Sequence, residues 1–309
     1  MTDKVMEELL NLVADYSPED GFDGAYNIRG NGTCMGREST EHVRIEPKEG
    51  GSGLDIYVDP GTKGEKVFIP ACISHGNVDD LVYNDFHIGA DADVLIVAGC
   101  GVHTDGEGEA RHNGIHRFLL DKGSRVVYEE KHVGTGSGEG LRFIDPQTEV
   151  QLGEDSYLEM NTSQIGGVDH TVRKTRGSIG PRAKLVIHES LLTEGEQYAS
   201  TDFAVDLDGE DSGVNLISRS VAKGNSYQEY HSKIAGNNRC MGHSECDAIL
   251  VDKGRVNAEP ELLAADLDAN LIHEAAIGKV AGDQLLKLRT LGLTEEEAEE
   301  KIIQGFLNA

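Results

Sequence analysis

The hydrophobic positions of the chain follow two different patterns. Residues 3–15 carry apolar side chains at helical spacing, which predicts a short amphipathic helix that ends near Pro18. From Asp55 to Val256 the pattern changes to short apolar runs, each long enough for a strand and too short for a typical helix. Examples are DIYV, KVFIP, DVLIVAG, RVVYEE and CDAILVD. The middle of the chain is therefore predicted to be mainly β.

Turn-forming residues separate these runs, as in Asp59-Pro60-Gly61, Asp121-Lys122-Gly123 and Asp252-Lys253-Gly254. The runs seldom alternate strictly between apolar and polar, and no helix of crossover length lies between them. Both observations disfavour a meander and a βαβ sheet. We therefore predict a β-solenoid, a coiled stack of short strands. Because no repeat of fixed period is legible, periodicity alone leaves a sandwich or a jelly roll nearly as compatible.

After about residue 258 the pattern becomes helical again. Asp283 is predicted to cap one helix, and Thr294 with Glu297 has the spacing of a capping box for a second, amphipathic helix. The apolar face of these helices is expected to pack on the chain's own N-terminal helix and solenoid end, with partner docking as the alternative. We divide the chain into an N-terminal helix and lead-in segment (1–54), a β core (55–258) and a C-terminal helical domain (259–309).

Composition adds limits on partners and location. The chain has 309 residues, of which 38% are hydrophobic, so it is long enough to bury a substantial core. Its formal net charge is -27 and no basic run is present, which argues against nucleic acid or an anionic membrane as a partner. No signal peptide or membrane span is legible, so a cytoplasmic location is expected. Five cysteines at irregular spacing suit reduced thiols better than a disulfide framework.

The segment from 236 to 279 holds the densest set of candidate ligands. Cys240, His243 and Cys246 resemble half of a zinc site. On a strand, however, the two cysteines share one face and His243 points to the other, so they chelate only if Gly242 makes a turn. The two possibilities stay open from the sequence alone.

Other cysteines and histidines are weaker candidates. Cys34, Cys72 and Cys240, each taken alone, are expected to be small buried apolar residues. His112 and His116 would share one face of either a strand or a helix, although histidines with a polar core or surface role are commoner than ligands. No nucleotide-binding loop and no nucleophile elbow is present in the sequence.

Several longer motifs carry a family resemblance. The tail from IHEAAIGK through DQLLKLRTLGLTEEEAEEKIIQGFL closely resembles the C-terminal signature of the SufB/SufD family, the scaffold subunits of the SUF iron–sulfur cluster assembly system. Upstream, VLIVAGCGVH, HNGIHRF and AKGNSYQEYHSKIAGNN also resemble the core of that family. The resemblance covers residues 55–307, and the chain is most similar to compact archaeal-type single-subunit forms.

The resemblance implies a fold, a role and partners. The expected fold is a right-handed parallel β-helix with a small helical domain formed by both chain ends. The expected role is a non-enzymatic scaffold that carries a transient iron–sulfur cluster of the 4Fe-4S type, with the participation of a flavin left open. The expected partners are a second copy of the chain paired through the β-helix, a SufC-type ABC ATPase, a sulfur donor and apo-protein acceptors. ATPase activity would reside in the partner subunit.

The resemblance also implies site residues. Cys246, in ECDAIL, matches the SufB cysteine that receives sulfur or ligates the nascent cluster. Glu274 matches a SufB interface glutamate, and His273 matches a SufD interface histidine. Cys100, in AGCGVH, matches the proposed sulfur entry point, and His116 lies in a matching block. Thiolate, imidazole and carboxylate ligands together suit a cluster that is held for transfer.

The chain departs from the family pattern at one place. Where bacterial SufB lines its proposed sulfur tunnel with Gln and then Trp, this chain reads Lys131-His132-Val133-Gly134, and it has no Trp. His116, His132, His243 and Cys240 are lesser candidates for the site. Cys72 lies near another tunnel position and is expected to belong to the core.

Two alternatives from other classes stay open. A β-helical carbohydrate-active enzyme or lyase would need paired acids and an aromatic groove, but aromatic residues make up only 5% of the chain. A structural zinc-binding protein would use Cys240, His243 and Cys246.

Overall fold

A computed structural model describes residues 4–308, so residues 1–3 and 309 of the predicted terminal segments lie outside the described residues. The elements in chain order are α1 (Lys4–Ala14), β1 (Ala25–Gly30), β2 (Thr33–Glu38), β3 (Val43–Pro47), β4 (Gly53–Val58), β5 (Lys63–Ile73), β6 (Val78–Ile88), β7 (Asp93–His103), β8 (Ala110–Leu120), β9 (Arg125–Thr135), β10 (Arg142–Ile144), β11 (Gln147–Leu152), β12 (Tyr157–Ile165), β13 (His170–Ile179), β14 (Lys184–Thr193), β15 (Tyr198–Leu207), β16 (Ser212–Ala222), β17 (Tyr227–Gly236), β18 (Cys240–Leu250), β19 (Arg255–Ala264), β20 (Ala269–Gly278), α2 (Gly282–Thr290) and α3 (Glu295–Leu307).

The strands form two stacked sheets that the chain visits alternately. The first sheet has the order β2-β1-β5-β7-β9-β12-β14-β16-β18-β20. The second has the order β19-β17-β15-β13-β10-β8-β6-β4-β3, with β11 pairing β13 and β8. Pairing is parallel throughout except between β1 and β2 and between β3 and β4. The fold is thus a β-solenoid of about eight turns, as predicted, with helices near both ends.

The interior is built from stacked rows of inward side chains. One row in the first sheet runs through Val94, Val126, Leu158, Leu185 and Val214, all buried. Each fully buried aliphatic side chain of this kind stabilises the fold by about 1.5–3 kcal/mol relative to an exposed one. Because parallel strands stack in register, each inward position lies over the inward position of the next coil.

The corners of the coils explain the turn signals in the sequence. Asp91, Asp155 and Asp211 have positive φ angles of 57°, 60° and 58°, a conformation that Asp and Asn tolerate better than most residues. Directly before β9 and β12, the hydroxyls of Ser124 and Ser156 donate to backbone carbonyls three residues earlier. Contacts between neighbouring coils join residues separated by 32 positions in one place and by 27 in another. This variation in coil length is why the sequence shows no fixed repeat.

The predicted N-terminal helix is confirmed as α1. It packs on the outer face of the first sheet, over β5, β7 and β9, through the buried side chains of Met6, Leu9, Leu10 and Val13. Gly99 permits this close approach, because a Cβ atom there would lie 2.5 Å from the Val13 carbonyl oxygen.

The C-terminal segment differs from the prediction at its start. The chain does not become helical at residue 258, because β19 and β20 continue the two sheets to Gly278 and the helices begin only at Gly282. The predicted Asp283 cap is also wrong, since Ala281 is the N-cap and supplies no side-chain hydrogen bond. The capping box of Thr294 and Glu297 is confirmed.

The two helical ends cover different stretches of the solenoid. Ile303 and Leu307 of α3 pack on Val221 and Val251, whereas α1 lies over β5, β7 and β9. The apolar face of α3 thus packs on the chain itself, but not on α1. The division into three domains stays a prediction. None of the helices among residues 4–308 has the length and apolar character needed to cross a bilayer.

Candidate functional site

Cys246 lies inside the solenoid, one strand from the end of the first sheet. Side chains of β18 alternate between interior and exterior, and Cys246 takes an interior position with 1% of its surface exposed. It stacks between Ser218 of β16 and Ala275 of β20. Burial, together with the negative charges of Glu189 and Asp247, raises the pKa of the Cys246 thiol to about 12. In this conformation the thiol is protonated, so thiolate chemistry requires a change in its surroundings.

His273 and Glu274 are consecutive on β20 and therefore point to opposite faces. His273 stacks beside Ser244 on the interior face, where its Nδ1 is buried without a hydrogen-bond partner in the described structure. Glu274 stacks beside Glu245 on the exterior face. The structure thus brings Cys246 and His273 to one face of the last coils and separates Glu274 from them.

Glu274 instead joins an exterior group of possible metal ligands. His243, Glu245 and Glu274 offer one donor atom each within 4.8 Å of one another. The Nδ1 atom of His243 is 2.7 Å from Oδ1 of Asn215, and its Nε2 atom is 3.6 Å from Oε2 of Glu274. Glu245 was missed by sequence reasoning, although the alternation along SECDAIL places it on the same face as His243.

The zinc half-site does not form. Cys240 and Cys246 are both buried on the interior face of β18, whereas His243 is on the exterior face. Gly242 continues the strand and makes no turn. The strand geometry expected for these three residues is confirmed, and it keeps the sulfur atoms and the imidazole apart.

Cys100 lies in the interior at the other end of the solenoid. It is 6% exposed, and burial raises the pKa of its thiol well above the ordinary value, with the charge of Glu130 adding to the effect. A small cavity of about 40 Å³ is lined by Cys100 and also by Cys34 and Arg29. The prediction that Cys34 is buried is wrong, because its side chain is exposed on β2. Cys72, like Cys240, is buried as predicted.

His112 and His116 share the interior face of β8, as strand spacing predicted. His112 Nδ1 is 3.1 Å from Oδ2 of Asp80. His116 Nδ1 is 2.9 Å from the Tyr128 hydroxyl oxygen, and its Nε2 is 3.3 Å from Nδ2 of Asn84. Burial lowers the pKa of His116 to about 4, so this imidazole is neutral at neutral pH. Both histidines are parts of a hydrogen-bonded interior.

A buried group of charges continues this polar interior toward Cys246. Arg173 Nη1 donates to Oε2 of Glu130 over 2.7 Å, and its Nε is 3.5 Å from Oε1 of Glu189. His132, a lesser candidate, lies 3.4 Å from Glu130 through Nε2. Burial raises the pKa of Glu130, but the charges of His132 and Arg173 outweigh it and hold that pKa well below the ordinary value.

The group reaches the neighbourhood of Cys246 through hydroxyls. Glu189 accepts hydrogen bonds from Thr201 at 2.8 Å and from Ser218 at 2.7 Å, and Ser218 stacks beside Cys246. Burying two carboxylates and a guanidinium costs desolvation energy that their attraction only partly offsets. Such groups are candidates for function as much as for stability. Sequence reasoning missed Glu130, Arg173 and Glu189, although Glu130 falls at an interior position of RVVYEEKHV.

The family model described as "SUF system FeS cluster assembly, SufBD core domain" matches residues 80–306. An "Iron-sulfur cluster assembly SufBD family protein" of Methanothermobacter thermautotrophicus is 29% identical over 264 residues, covering 83% of this chain and 62% of that protein. Proteins of the same description from Archaeoglobus fulgidus and Methanocaldococcus jannaschii are each 27% identical, with 72% and 86% of their lengths covered. The chain therefore spans less than two thirds of the first of these relatives.

Proposed function

Because the chain belongs to the SufB/SufD family of iron–sulfur cluster assembly proteins, we propose that it is a scaffold on which a cluster is built and from which it is transferred. The observation that carries this proposal is the match of the SufBD core domain to residues 80–306, a range that includes Cys100, Cys246, His273 and Glu274. No specific observation favours a carbohydrate-active enzyme, and the separation of His243 from Cys240 and Cys246 argues against the structural zinc site.

The proposed cluster ligands are Cys246, His273 and Glu274, with a 4Fe-4S cluster as the cargo. Support comes from the position of Cys246 one strand inside the end of the sheet and from the unpartnered Nδ1 of His273 on the same face. Glu274 faces outward in the single chain. Glu274 would therefore reach the cluster only through a pairing of the last coil with a second copy. Cys100 is proposed to receive sulfur.

A second copy of the chain is the proposed partner of the last coil. β20 leaves one edge of the first sheet unpaired in the described structure, and an unpaired edge readily accepts another strand. The large apolar side chains exposed on this coil are Leu262, Leu263, Leu267, Ile272 and Ile277. A two-fold pairing through this surface would bring two sets of cluster ligands together.

A SufC-type ABC ATPase is the proposed partner of the C-terminal helices, with a sulfur donor and apo-proteins as further partners. α2 has no buried residue, and Leu286 and Leu291 expose 61% and 76% of their surface. These exposed side chains offer an apolar contact surface. Co-purification of the chain with the ATPase would test this part of the proposal, and its loss in a chain that ends at residue 280 is the expected result.

Anaerobic reconstitution with ferrous iron and sulfide tests the cluster site. We expect the full-length chain with its ATPase to gain the visible charge-transfer absorbance of an iron–sulfur cluster, and Cys246→Ser to lose it. Cys240→Ser is the matched control, because Cys240 is buried on the same face of the same strand. Equal loading of Cys246→Ser and wild type would contradict the assignment.

A further inference from the structure

We propose that His243, Glu245 and Glu274 form a binding site for one divalent transition-metal ion on the exterior face of the last coil, separate from the interior site of Cys246. The three side chains come from two neighbouring strands. His243 and Glu245 are two residues apart on β18, and Glu274 stacks beside Glu245 on β20. The donor atoms lie within 4.8 Å of one another.

Asn215 orients the imidazole of His243. Oδ1 of Asn215 can only accept a hydrogen bond, so Nδ1 of His243, at 2.7 Å, must be the donor. In the neutral ring the lone pair is then on Nε2, which faces the Glu274 carboxylate. Metal-binding histidines are commonly held in this way, with one ring nitrogen donating to a protein oxygen and the other free to ligate.

The distance between the donor atoms of His243 and Glu274 also suits a shared ion. Nε2 of His243 and Oε2 of Glu274 are 3.6 Å apart, which is too long for a direct hydrogen bond. Two ligands that each lie about 2.1 Å from a shared ion stand about 3–3.5 Å apart, so a small movement would close the site. A gap of this size suits an ion between the two atoms.

The carboxylates of Glu245 and Glu274 give the site an excess of negative charge. Two carboxylates meet here, and among residues 4–308 the only ion-pair partner of Glu274 is His243, while Glu245 has none. The stacking neighbours of His243 and Glu245 on β16 are Asn215 and Ile217, both uncharged. A cation would balance this negative charge.

A second group at the other end of the solenoid shows the contrast. Asp55, Asp85 and His87 also lie within 4.8 Å of one another. There, however, Lys48 binds both aspartates and Arg117 binds Asp85, so protein cations already neutralise the group. Among residues 4–308, no lysine or arginine forms an ion pair with the exterior group of His243, Glu245 and Glu274.

The donor set indicates the class of ion. Imidazole favours Zn²⁺, Fe²⁺ and related ions, whereas carboxylates also suit Mn²⁺. One imidazole with two carboxylates, in an exposed place where water completes the shell, fits Fe²⁺ or Mn²⁺. The exterior site shares Glu274 with the proposed cluster ligands, but it needs neither Cys246 nor a partner subunit.

Anaerobic titration calorimetry of the full-length chain with Mn²⁺, and separately with Fe²⁺, tests the site. We expect one ion per chain, with affinity lowered at least tenfold in His243→Ala and in Glu274→Gln. We expect Asn215→Ala to lower it by about tenfold, because the imidazole loses its orienting partner. The matched control is His87→Ala, which should leave binding unchanged.

Further measurements separate this site from the cluster site. With Co²⁺ as a spectroscopic probe, the absorbance should lack sulfur-to-metal charge transfer and should be the same in Cys246→Ser. Absence of Mn²⁺ and Fe²⁺ binding to wild type, with His243 simply ion-paired to Glu274, would overturn the proposal. Unchanged affinity in His243→Ala combined with Glu245→Gln would also overturn it. Loss of cluster loading in Cys246→Ser concerns the scaffold role alone.

Discussion

The sheet edges at the first coil of the solenoid differ from those at the last coil. At the first end, β2 and β3 run antiparallel to their neighbours, and β3 ends in Glu46 and Pro47. Charge and proline at an edge discourage further strand pairing. At the last end, β20 runs parallel, carries Glu274 as its single charged side chain and exposes Ile272 and Ile277. In the first sheet, one end is formed by the antiparallel strand β2, and at the other end β20 leaves a parallel edge unpaired in the described structure.

The buried polar groups also differ between the two ends of the solenoid. Toward the first end the buried polar groups include Asp80, His112, His116 and Glu130, each with a hydrogen-bonded or charged partner. Beside Cys246 the buried polar groups are the hydroxyls of Ser218 and Ser244 and one charge, Glu189, which accepts a hydrogen bond from Ser218. Charges can be buried where many coils enclose and pair them. A thiol among hydroxyls, close to an open end, is easier to expose.

The largest effect is expected for the buried charges. Arg173→Met leaves Glu130 and Glu189 without their shared cation, so the free energy of unfolding should fall by about 3–5 kcal/mol. Urea denaturation followed by circular dichroism measures it. The control is Arg219→Met, because Arg219 lies at an only partly buried, exterior position of β16, and this change should alter stability by about 0.5 kcal/mol or less. Equal losses of unfolding free energy in the two variants would contradict a structural role for the buried ion pairs of Arg173.

A somewhat smaller effect is expected at the helices. Leu9→Ala removes a fully buried side chain from under α1 and should cost about 3 kcal/mol of unfolding free energy. Leu286→Ala, in α2, removes an exposed side chain and should cost about 0.5 kcal/mol or less. The same denaturation experiment compares the two. A large loss in Leu286→Ala would mean that α2 packs on the chain after all.

The pH dependence of the free energy of unfolding should reflect the titration of the buried His116. The pKa of His116 is lowered to about 4, whereas an unfolded histidine titrates near 6.5. Between these values the unfolded state binds the proton more readily, so stability falls as pH decreases from about 6.5 to 4, by up to about 3 kcal/mol. In His116→Gln this part of the loss should disappear, and in the exposed control His188→Gln it should remain. An identical pH profile in all three proteins would contradict the assignment.

The smallest effect on folding is expected at the open end. Leu263→Glu places a charge on a half-exposed apolar position of β19, so it should leave the circular dichroism spectrum unchanged. If the last coil pairs with a second copy, light scattering should change from the mass of a dimer to that of a monomer. The control is Leu81→Glu, on an exposed apolar position of β6 far from that coil. A dimer that persists in Leu263→Glu would move the interface elsewhere.

Part of this fold could be predicted because local chemistry determines it. Asp121-Lys122-Gly123 marks a corner through backbone preference alone, and α1 shows its buried face through spacing. The separation of His243 from Cys240 and Cys246 follows from strand alternation. The end of the β region was misplaced because the last strand has exposed apolar positions and no interior alternation beyond His273.

The candidate site was harder to predict from the sequence, because its residues come together only when distant segments stack. Cys246 and His273 carry a family motif, but nothing in the order of residues says that His273 and Glu274 occupy opposite faces of an edge strand in the folded coil. Glu130, Arg173 and Glu189 come from three strands. Variable coil length hides which of them stack, so a structure was needed to bring them together.

Coil length also has a consequence for how the protein is made. Strands paired in parallel are 27 to 32 residues apart, except β1 and β5, which are 42 residues apart, so no strand can pair in parallel until the chain has travelled once around the solenoid. At about 5–20 residues per second, a ribosome supplies one coil in about 2–6 seconds. We expect each coil to form on the one before it, as in other repeat structures where each unit contacts only its neighbours. The end that contains β2 and β3 is then the template, and the unpaired edge of β20 is the last part of the solenoid to be synthesised, ahead of α2 and α3.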